Sequence, residues 1–181
     1  MNRQRLGILG FTLIELMVVI ALIAILASLA APSFQRSVAQ RKVSEAASDL
    51  MVSTLQARSA AITNNQQAIV EPLVVTDWSR GWRIYVDVDK DKAYTAGTDT
   101  LVSTVPAKAD SIGTNEIIPS TLTLIGFNST GYLLESTAGR VVFSSAVIPS
   151  SQYRKGVAFS RTGRVRLCES NSIKNECSGS E

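Results

Sequence analysis

The sequence predicts an α+β protein in which one long N-terminal helix packs on an antiparallel β-sheet head. Residues 11–31 form a nearly continuous apolar run, and beyond it apolar residues recur at spacings of mostly three or four, the period of a helix face. From Gln67 onward, short segments alternate apolar and polar residues with period two and are separated by Gly, Ser, Asn and Thr, as in antiparallel strands. One helix laid across such strands gives an α+β head.

We expect a single helix over residues 11–64. Pro32 favours a kink, but the helical pattern continues beyond it, and the segment Thr63–Asn65 ends it. The second half of the helix is expected to pack on the head through an apolar stripe that includes Leu50, Met51, Leu55 and Ile62.

The first half of this helix, residues 11–31, is long enough to cross a membrane. At a rise of ~1.5 Å per residue it spans roughly 31 Å. Residues 1–10 precede it as a short leader, and their Arg3 and Arg5 favour the cytoplasmic side. An ordinary secretory signal has a shorter apolar core and a small-residue cleavage site. We therefore expect a single-pass anchor.

The β-rich head is expected to occupy residues 65–181 and to contain six to eight strands, mostly in hairpins. The stretch 90–115 is rich in Asp, Thr, Ala and Lys and is the most loop-like part of the head.

The composition argues against catalysis. The chain of 181 residues contains no histidine, which removes the commonest general base and the commonest metal ligand. We find no glycine-rich phosphate loop and no nucleophile elbow, and two cysteines do not make a four-ligand zinc site. We predict no catalytic residue, no cofactor and no metal.

Asp87, Asp89 and Asp91 have the spacing of a calcium-binding loop. That loop also requires a glycine at its sixth position and a glutamate at its twelfth, where this sequence has Lys92 and Thr98. We therefore predict a solvated acidic turn that binds no calcium.

One carboxylate, Glu15, lies inside the apolar run. A charge in bilayer hydrocarbon costs at least ~2.5–3.5 kcal/mol, and it is tolerated when it has a partner. The surrounding residues, GFTLIELMVVIALIAIL, resemble the prepilin signature of type IV pilins and type II secretion pseudopilins.

This resemblance implies that a prepilin peptidase cuts between Gly10 and Phe11 on the cytoplasmic side and that the new Phe11 amine is N-methylated. It also implies that Glu15 pairs with the Phe11 amine of a neighbouring subunit and so fixes the assembly register. The alternatives for Glu15 are a protonated carboxyl group or one that snorkels to the cytoplasmic headgroups.

The head contains W..GW.IYVDVDKD, then GFNSTG, then FSRTGRVRLC, an order that resembles the pseudopilin H and FimT/FimU minor pilin family. The resemblance implies a pilin-like fold and a minor pilin of a type IV pilus, a structural subunit of a tip complex that initiates assembly. The alternative is a minor pseudopilin, of H type, in a type II secretion system.

The same resemblance implies where the protein lies and what it meets. We expect it in the bacterial inner membrane with its head in the periplasm, and later in the pilus filament on the cell surface. Its expected partners are other pilins, the prepilin peptidase and the inner membrane.

Five basic residues lie close together near the end of the chain: Arg154, Lys155, Arg161, Arg164 and Arg166. On a strand, Arg164 and Arg166 project to one face and could grip phosphates. The sequence Gly163-Arg164-x-Arg166 resembles the motif associated with DNA binding in FimT-type pilins, which implies double-stranded DNA as a partner in natural transformation. The alternative is a solvated face of an edge strand, where arginine blocks aggregation.

Cys168 and Cys177 are separated by eight residues. In an exported protein such a pair predicts a small disulfide loop.

Overall fold

The computed structural model describes residues 11–118, 122–134 and 138–170. The predicted leader, residues 1–10, lies outside this part of the chain, as does Cys177. The chain divides into two compact units, Met1–Ser37 and Val38–Glu181.

The predicted long helix is present as α1, which runs without interruption over Leu13–Asn64 and through Pro32. Asn65 follows with a φ of 50°, a left-handed conformation that ends the helix. By length and composition α1 could cross a membrane, and its most apolar part, near the N-terminus, is not buried in the protein. That residues 11–31 span the membrane stays a prediction.

Two serine hydroxyls near the end of this apolar segment donate to carbonyl groups of the helix itself. The hydroxyl of Ser28 donates to the carbonyl oxygen of Ile25 at 2.7 Å, and that of Ser33 donates to Ala30 at 2.8 Å. Both bonds are of the short-range kind that serine hydroxyls make to helix carbonyls. These two serines therefore do not present unsatisfied hydroxyl groups to an apolar environment.

The buried stripe on the second half of α1 consists largely of small residues. Its members are Ala39, Val43, Ala46, Ala47, Leu50, Ser53, Thr54, Ala57 and Ala61. Of the predicted stripe, Leu50 is buried and Met51 packs against the core, but Leu55 and Ile62 are 40% and 50% exposed, so their assignment to the packed face was wrong. Alanines let the helix approach the sheets closely, whereas the larger side chains turn outward.

Eight strands are present in the described part of the head. They are β1 (Gln67–Val74), β2 (Asp77–Asp87), β3 (Thr100–Val105), β4 (Ile112–Ile118), β5 (Ile125–Phe127), β6 (Gly139–Ser145), β7 (Arg154–Phe159) and β8 (Val165–Ser170). All pairings among them are antiparallel, in two four-stranded sheets of order β3-β2-β1-β5 and β4-β6-β7-β8. The predicted α+β fold class is confirmed. The prediction that residues 90–115 form a loop was wrong in part, because this stretch contains β3 and the start of β4.

The core lies between α1 and the inner faces of both sheets. Trp82 of β2 is 6.5 Å from Trp78 and 6.4 Å from Phe143 of β6, measured between ring centroids. Its indole N–H donates to the hydroxyl of Ser53 on α1 at 2.9 Å. The backbone N–H of Ser79 in β2 donates to Thr114 of β4 at 3.1 Å, which links the sheets. One core therefore holds helix and sheets together.

The acidic turn after β2 is solvated at Asp89 and Asp91, as the sequence predicted, but not at Asp87, the last residue of β2. Asp87 is fully buried, and its carboxylate accepts the backbone N–H groups of Lys90 (2.8 Å) and Lys92 (3.0 Å) and the side-chain amide of Gln67 (3.0 Å). Burial raises the pKa of Asp87, and these backbone hydrogen bonds oppose the rise. Asp87 thus anchors the turn from inside, and Asp89 is exposed.

Candidate assembly site and basic surface

The N-terminus of α1 carries a reciprocal capping arrangement. The backbone N–H of Glu15 donates to the Thr12 hydroxyl at 3.2 Å, and the backbone N–H of Thr12 donates to the Glu15 carboxylate at 3.5 Å. This is a capping box, which satisfies two of the amide groups that a helix start leaves open. Its carboxylate also complements the positive end of the helix dipole. The sequence signal, Thr-x-x-Glu, was present but was not used in the prediction.

Glu15 is exposed, and so are the apolar side chains that follow it. Exposure of the large apolar side chains of the segment reaches 77% at Leu13 and 73% at Leu29. A continuous apolar surface of this length is stable only against lipid or other apolar helices. The exposed apolar surface of this segment is therefore suited to packing against lipid or against other apolar helices. Its one carboxylate, Glu15, lies at the N-terminal end.

The predicted basic cluster does not form one surface. Arg154 and Arg166 lie on the outer face of the β4-β6-β7-β8 sheet, the face away from the main core. Lys155 lies on the opposite face and donates from its Nζ to the hydroxyl of Ser44 on α1 at 2.9 Å. Because neighbouring residues of a strand point to opposite faces, Lys155 belongs to the helix contact.

Arg161 and Arg164 are exposed beside the turn between β7 and β8. The sequence prediction missed Arg140 of β6, which is in register with Ala158 of β7, and Ala158 is in turn in register with Arg166. Arg140 and Arg166 thus flank Ala158 on the outer face. Only the antiparallel register reveals this neighbour, since it lies far from the other arginines along the chain.

Gly163, within the predicted DNA-binding motif, is buried and has a φ of 78°. A Cβ at this position would lie 2.0 Å from the carbonyl oxygen of Gly131 and 3.0 Å from Nε of Arg58. Arg58 on α1 in turn donates from Nε to that same carbonyl at 3.0 Å. Gly163 therefore allows the β7–β8 turn to approach the segment after β5 and the helix.

Cys168 lies on the outer face with Val142 and Ala158, where it is 2% exposed and disulfide-bonded. Its predicted partner, Cys177, lies outside the described residues, so the pairing of these two cysteines stays a prediction.

The outer face of the other sheet holds a polar cluster. Glu71 accepts a hydrogen bond from Nε of Arg83 and another from the Tyr85 hydroxyl at 3.3 Å. The rings of Tyr85 and Tyr94 meet edge to face at 5.4 Å, and Arg83 lies over Tyr94. Burial, followed by the charge of Glu71, raises the pKa of Tyr85. Through Tyr94, these contacts hold the loop after β2 against the sheet.

The carboxylate oxygens of Asp87, Asp89 and Asp99 lie within 4.8 Å of one another. Asp99, like Asp87, accepts backbone N–H groups, those of Val88 (3.0 Å) and Thr95 (2.7 Å). Two of the three carboxylates thus serve as internal caps of the loop.

Protein-family models match most of the chain. The model described as "Type II transport protein GspH" covers residues 46–172, and the prokaryotic N-terminal methylation motif covers residues 7–31. The second match includes the capping box and the predicted cleavage position.

Curated relatives are fimbrial proteins. The chain is 37% identical over 94 residues to the type IV major fimbrial protein FimA of Dichelobacter nodosus, covering 52% of this chain and 54% of that protein. It is 56% identical over 46 residues to a fimbrial protein of Moraxella nonliquefaciens, covering 25% and 27%. The matched regions span between about a quarter and about half of these relatives.

Among solved structures, the chain is similar to the type IV minor pilin FimU of Pseudomonas aeruginosa. The TM-score is 0.56 at 18% identity, with 68% of this chain and 90% of that chain covered, which establishes a shared fold. The chain therefore belongs to the GspH family and is a structural subunit of the type IV pilin and pseudopilin class, not an enzyme.

Proposed function

We propose that this protein is a minor pilin of a type IV pilus and that it joins a tip complex that initiates filament assembly. The observation that carries the proposal is the exposed apolar surface of α1 with Glu15 at its N-terminal end. The fimbrial names of the curated relatives and the shared fold with a type IV minor pilin support the pilus over a secretion role.

Assembly would begin when the chain is cut between Gly10 and Phe11 and the Phe11 amine is methylated. This amine carries a positive charge next to the helix start. Glu15 lies four residues further along, which corresponds to about 6 Å of helix axis. A neighbouring helix shifted outward by about that distance would place its own Phe11 amine level with Glu15. The pair would then satisfy both charges within apolar surroundings.

The Thr12–Glu15 capping box supports this mechanism because it limits the freedom of the carboxylate. Glu15 would be held near the helix terminus before assembly, and a partner amine would replace a weak, long hydrogen bond of 3.5 Å with a charge-assisted one. Docking in any other register would leave the carboxylate uncompensated in apolar surroundings, at a cost of ~3–5 kcal/mol.

A minor pseudopilin of a type II secretion system is the second candidate, and the name of the matching family supports it. Deletion of the gene in its native host separates the two. For a minor pilin, sheared surface pili disappear while exported enzymes still reach the medium. For a pseudopilin, the exported enzymes accumulate in the periplasm and the pili remain. Complementation with the intact gene must restore whichever phenotype is lost.

An additional proposed role is binding of double-stranded DNA through Arg164 and the nearby Arg161. The exposure of Arg161 and Arg164 at the β7–β8 turn favours it. Arg154 and Arg166 are half-buried on the sheet face and would contribute less. Lys155 would not contribute directly, because it contacts α1.

A further inference from the structure

The turn between β1 and β2 lies on the anchor side of the head, the end at which α1 enters it. Trp82 of β2 donates to Ser53 on α1 at 2.9 Å. Closer to the turn, the backbone carbonyl of Ser79 accepts the N–H of Lys108 at 2.8 Å, and the Lys108 ammonium pairs with Asp49 on α1. The contacts with α1 therefore move toward its N-terminal side as β2 is followed back to the turn.

The turn between β6 and β7 lies on the anchor side as well. Lys155, near the start of β7, donates to Ser44 on α1 at 2.9 Å, whereas Gly163, beyond the end of β7, lies beside Arg58. At ~1.5 Å per residue these two helix positions are separated by roughly 21 Å, a distance that β7 and its turn can span. β7 thus runs alongside α1, away from the anchor side.

Both anchor-side turns expose apolar side chains. In the first, residues 73–75 are three consecutive exposed apolar residues, and Val75 is 74% exposed. In the second, Val147 is 49% exposed. The sequence contains no charged residue in either turn, over residues 72–76 or 146–153.

The residues of the β1–β2 turn are not those that turn geometry favours. Thr76 has a φ of 64°, a left-handed conformation that Gly, Asn and Asp adopt more readily than a β-branched residue. Val75 before it is also β-branched. Folding would be served better by polar turn residues, so the apolar ones indicate contact with an apolar surface outside the chain.

Basic side chains accompany these turns. Arg41 and Lys42 are exposed on α1, near the exposed Glu45. At the start of β2, Arg80 lies 3.7 Å from Asp77, so that this pair adds little net charge. The anchor side thus combines exposed apolar residues with a positive flank, a combination that binds the interface of a membrane with anionic lipids.

The predicted membrane span brings a bilayer within reach of the anchor side. The span ends at Ala31, and Ser44 lies about 20 Å further along a helix. Transmembrane helices tilt by up to ~40°. A tilt toward the buried side of α1, which carries both sheets, lowers both turns onto the bilayer.

We propose that residues 73–75 and Val147 form a membrane-contact surface, which rests on the leaflet from which the head emerges while the subunit is unassembled. The apolar side chains enter the boundary between headgroups and acyl chains, and Arg41 and Lys42 meet lipid phosphates. The proposal rests on residues 11–31 crossing the bilayer, and it holds for a pilus and for a secretion system alike. Entry into a filament then requires release of this contact.

Site-specific fluorescence tests the contact in the full chain, reconstituted in vesicles of phosphatidylethanolamine and phosphatidylglycerol. Val75→Cys and Val147→Cys each receive a polarity-sensitive thiol label without reductant, and the unsubstituted chain measures background labelling. Val88→Cys is the matched control, because Val88 is 41% exposed but follows the opposite end of β2. Ile20→Cys reports on the predicted span.

We expect the labels at Val75, Val147 and Ile20 to emit at shorter wavelength and to be quenched by lipids that carry a nitroxide near the headgroup or in the acyl chain. The label at Val88 should show neither effect. Quenching at Ile20 but no more at Val75 and Val147 than at Val88 would overturn the contact and leave the anchor in place. No quenching at Ile20 would overturn the anchor and the contact together.

A second copy of the chain is the other possible cover for these turns. It would shift the emission at Val75 without quenching by the lipid nitroxide, and the shift would disappear when the protein is diluted in lipid. That result would overturn the membrane contact.

The charge requirement is tested with the Val75→Cys label in the same vesicles. Combining Arg41→Gln with Lys42→Gln should lower the quenching to the level found in vesicles without phosphatidylglycerol. Lys90→Gln with Lys92→Gln removes the same charge near the opposite end of β2 and should leave the quenching unchanged. Equal losses in the two double variants would overturn the specific role of Arg41 and Lys42.

Discussion

Thr12 and Glu15 are joined by a reciprocal pair of hydrogen bonds at the N-terminus of α1, with the Thr12 hydroxyl accepting at 3.2 Å and the Glu15 carboxylate accepting at 3.5 Å. This finding gives Glu15 a local role beside its proposed role in assembly. The two roles make different demands on the side chain. Capping requires an oxygen acceptor, whereas pairing with a neighbour's amine requires a negative charge.

Glu15→Gln and Glu15→Val separate these roles. Glutamine keeps the capping acceptor and loses the charge, and valine loses both. If the charge sets the register, both variants should be inserted and processed but be missing from sheared filaments. The measurement compares processed protein in membranes with protein in filaments. Normal incorporation of Glu15→Gln together with loss of Glu15→Val would show that capping, not charge pairing, is what assembly requires.

Gly10→Val should block processing. A branched side chain at the cleavage position would clash with a peptidase that accepts glycine, so we expect an uncut, membrane-bound precursor of higher mass. Intact-mass analysis of membranes distinguishes it from the wild type, whose chain should begin at Phe11. A wild-type mature chain that still begins at Met1 would rule out the proposed processing and with it a free Phe11 amine.

Gly163→Ala should destabilise the head. The left-handed φ alone costs about 1–3 kcal/mol for a residue with a side chain, and here the new Cβ would also collide with the Gly131 carbonyl. Gly97→Ala is the matched control, because Gly97 has a φ of 92° but nothing lies within 4 Å of an added Cβ. Thermal denaturation should show a clearly larger loss for Gly163→Ala. Equal losses would mean that the close approach is unimportant.

The sequence predicted α1 well because two independent signals agree along it. The apolar run defines its first half, the three-to-four spacing defines its second, and Asn64 ends it where the pattern stops. The predicted packed face held at Leu50 and Met51 and failed at Leu55 and Ile62, which are 40% and 50% exposed. Close packing on two sheets instead favours the small residues.

The two-sheet arrangement could not be read from the sequence. β5 pairs with β1 and β4 with β6, so strands adjacent in space are often not adjacent in the chain. β3 was missed because it is an edge strand with mostly exposed or half-exposed residues, and its polar flanks resemble a loop. Arg140 was missed for the related reason that only the register across β7 brings it near Arg166.

Asp87→Asn should lower the stability of the head by about 1–3 kcal/mol, the usual cost of leaving buried donors poorly paired. An amide presents one acceptor oxygen where the carboxylate serves three N–H groups. Asp89→Asn is the control and should change stability little, since Asp89 is exposed. Melting curves with and without Ca²⁺ complete the test. A calcium-dependent rise in melting temperature that Asp87→Asn abolishes would overturn the role of Asp87 as an internal cap.

The DNA prediction concerns Arg164 and Arg166. If they contact phosphates, the full chain in detergent should bind duplex DNA without sequence preference, and log K should fall by about 0.9 per phosphate contact for each decade of salt. Replacing both by glutamine should weaken binding and flatten this slope. Because exposed or half-exposed arginines contribute little to the core, the fold should survive, as circular dichroism can check.

Lys155→Gln provides the internal control for this titration. Lys155 belongs to the same basic stretch but lies on the opposite face, where it donates to Ser44. Its loss should therefore leave the salt slope of DNA binding unchanged. Equal weakening by Lys155→Gln and by the double arginine variant would point to net charge rather than a defined surface. If the double arginine variant binds DNA as tightly as the parent, Arg164 and Arg166 do not contact DNA. If the parent does not bind DNA even at low salt, DNA is not a partner of this subunit.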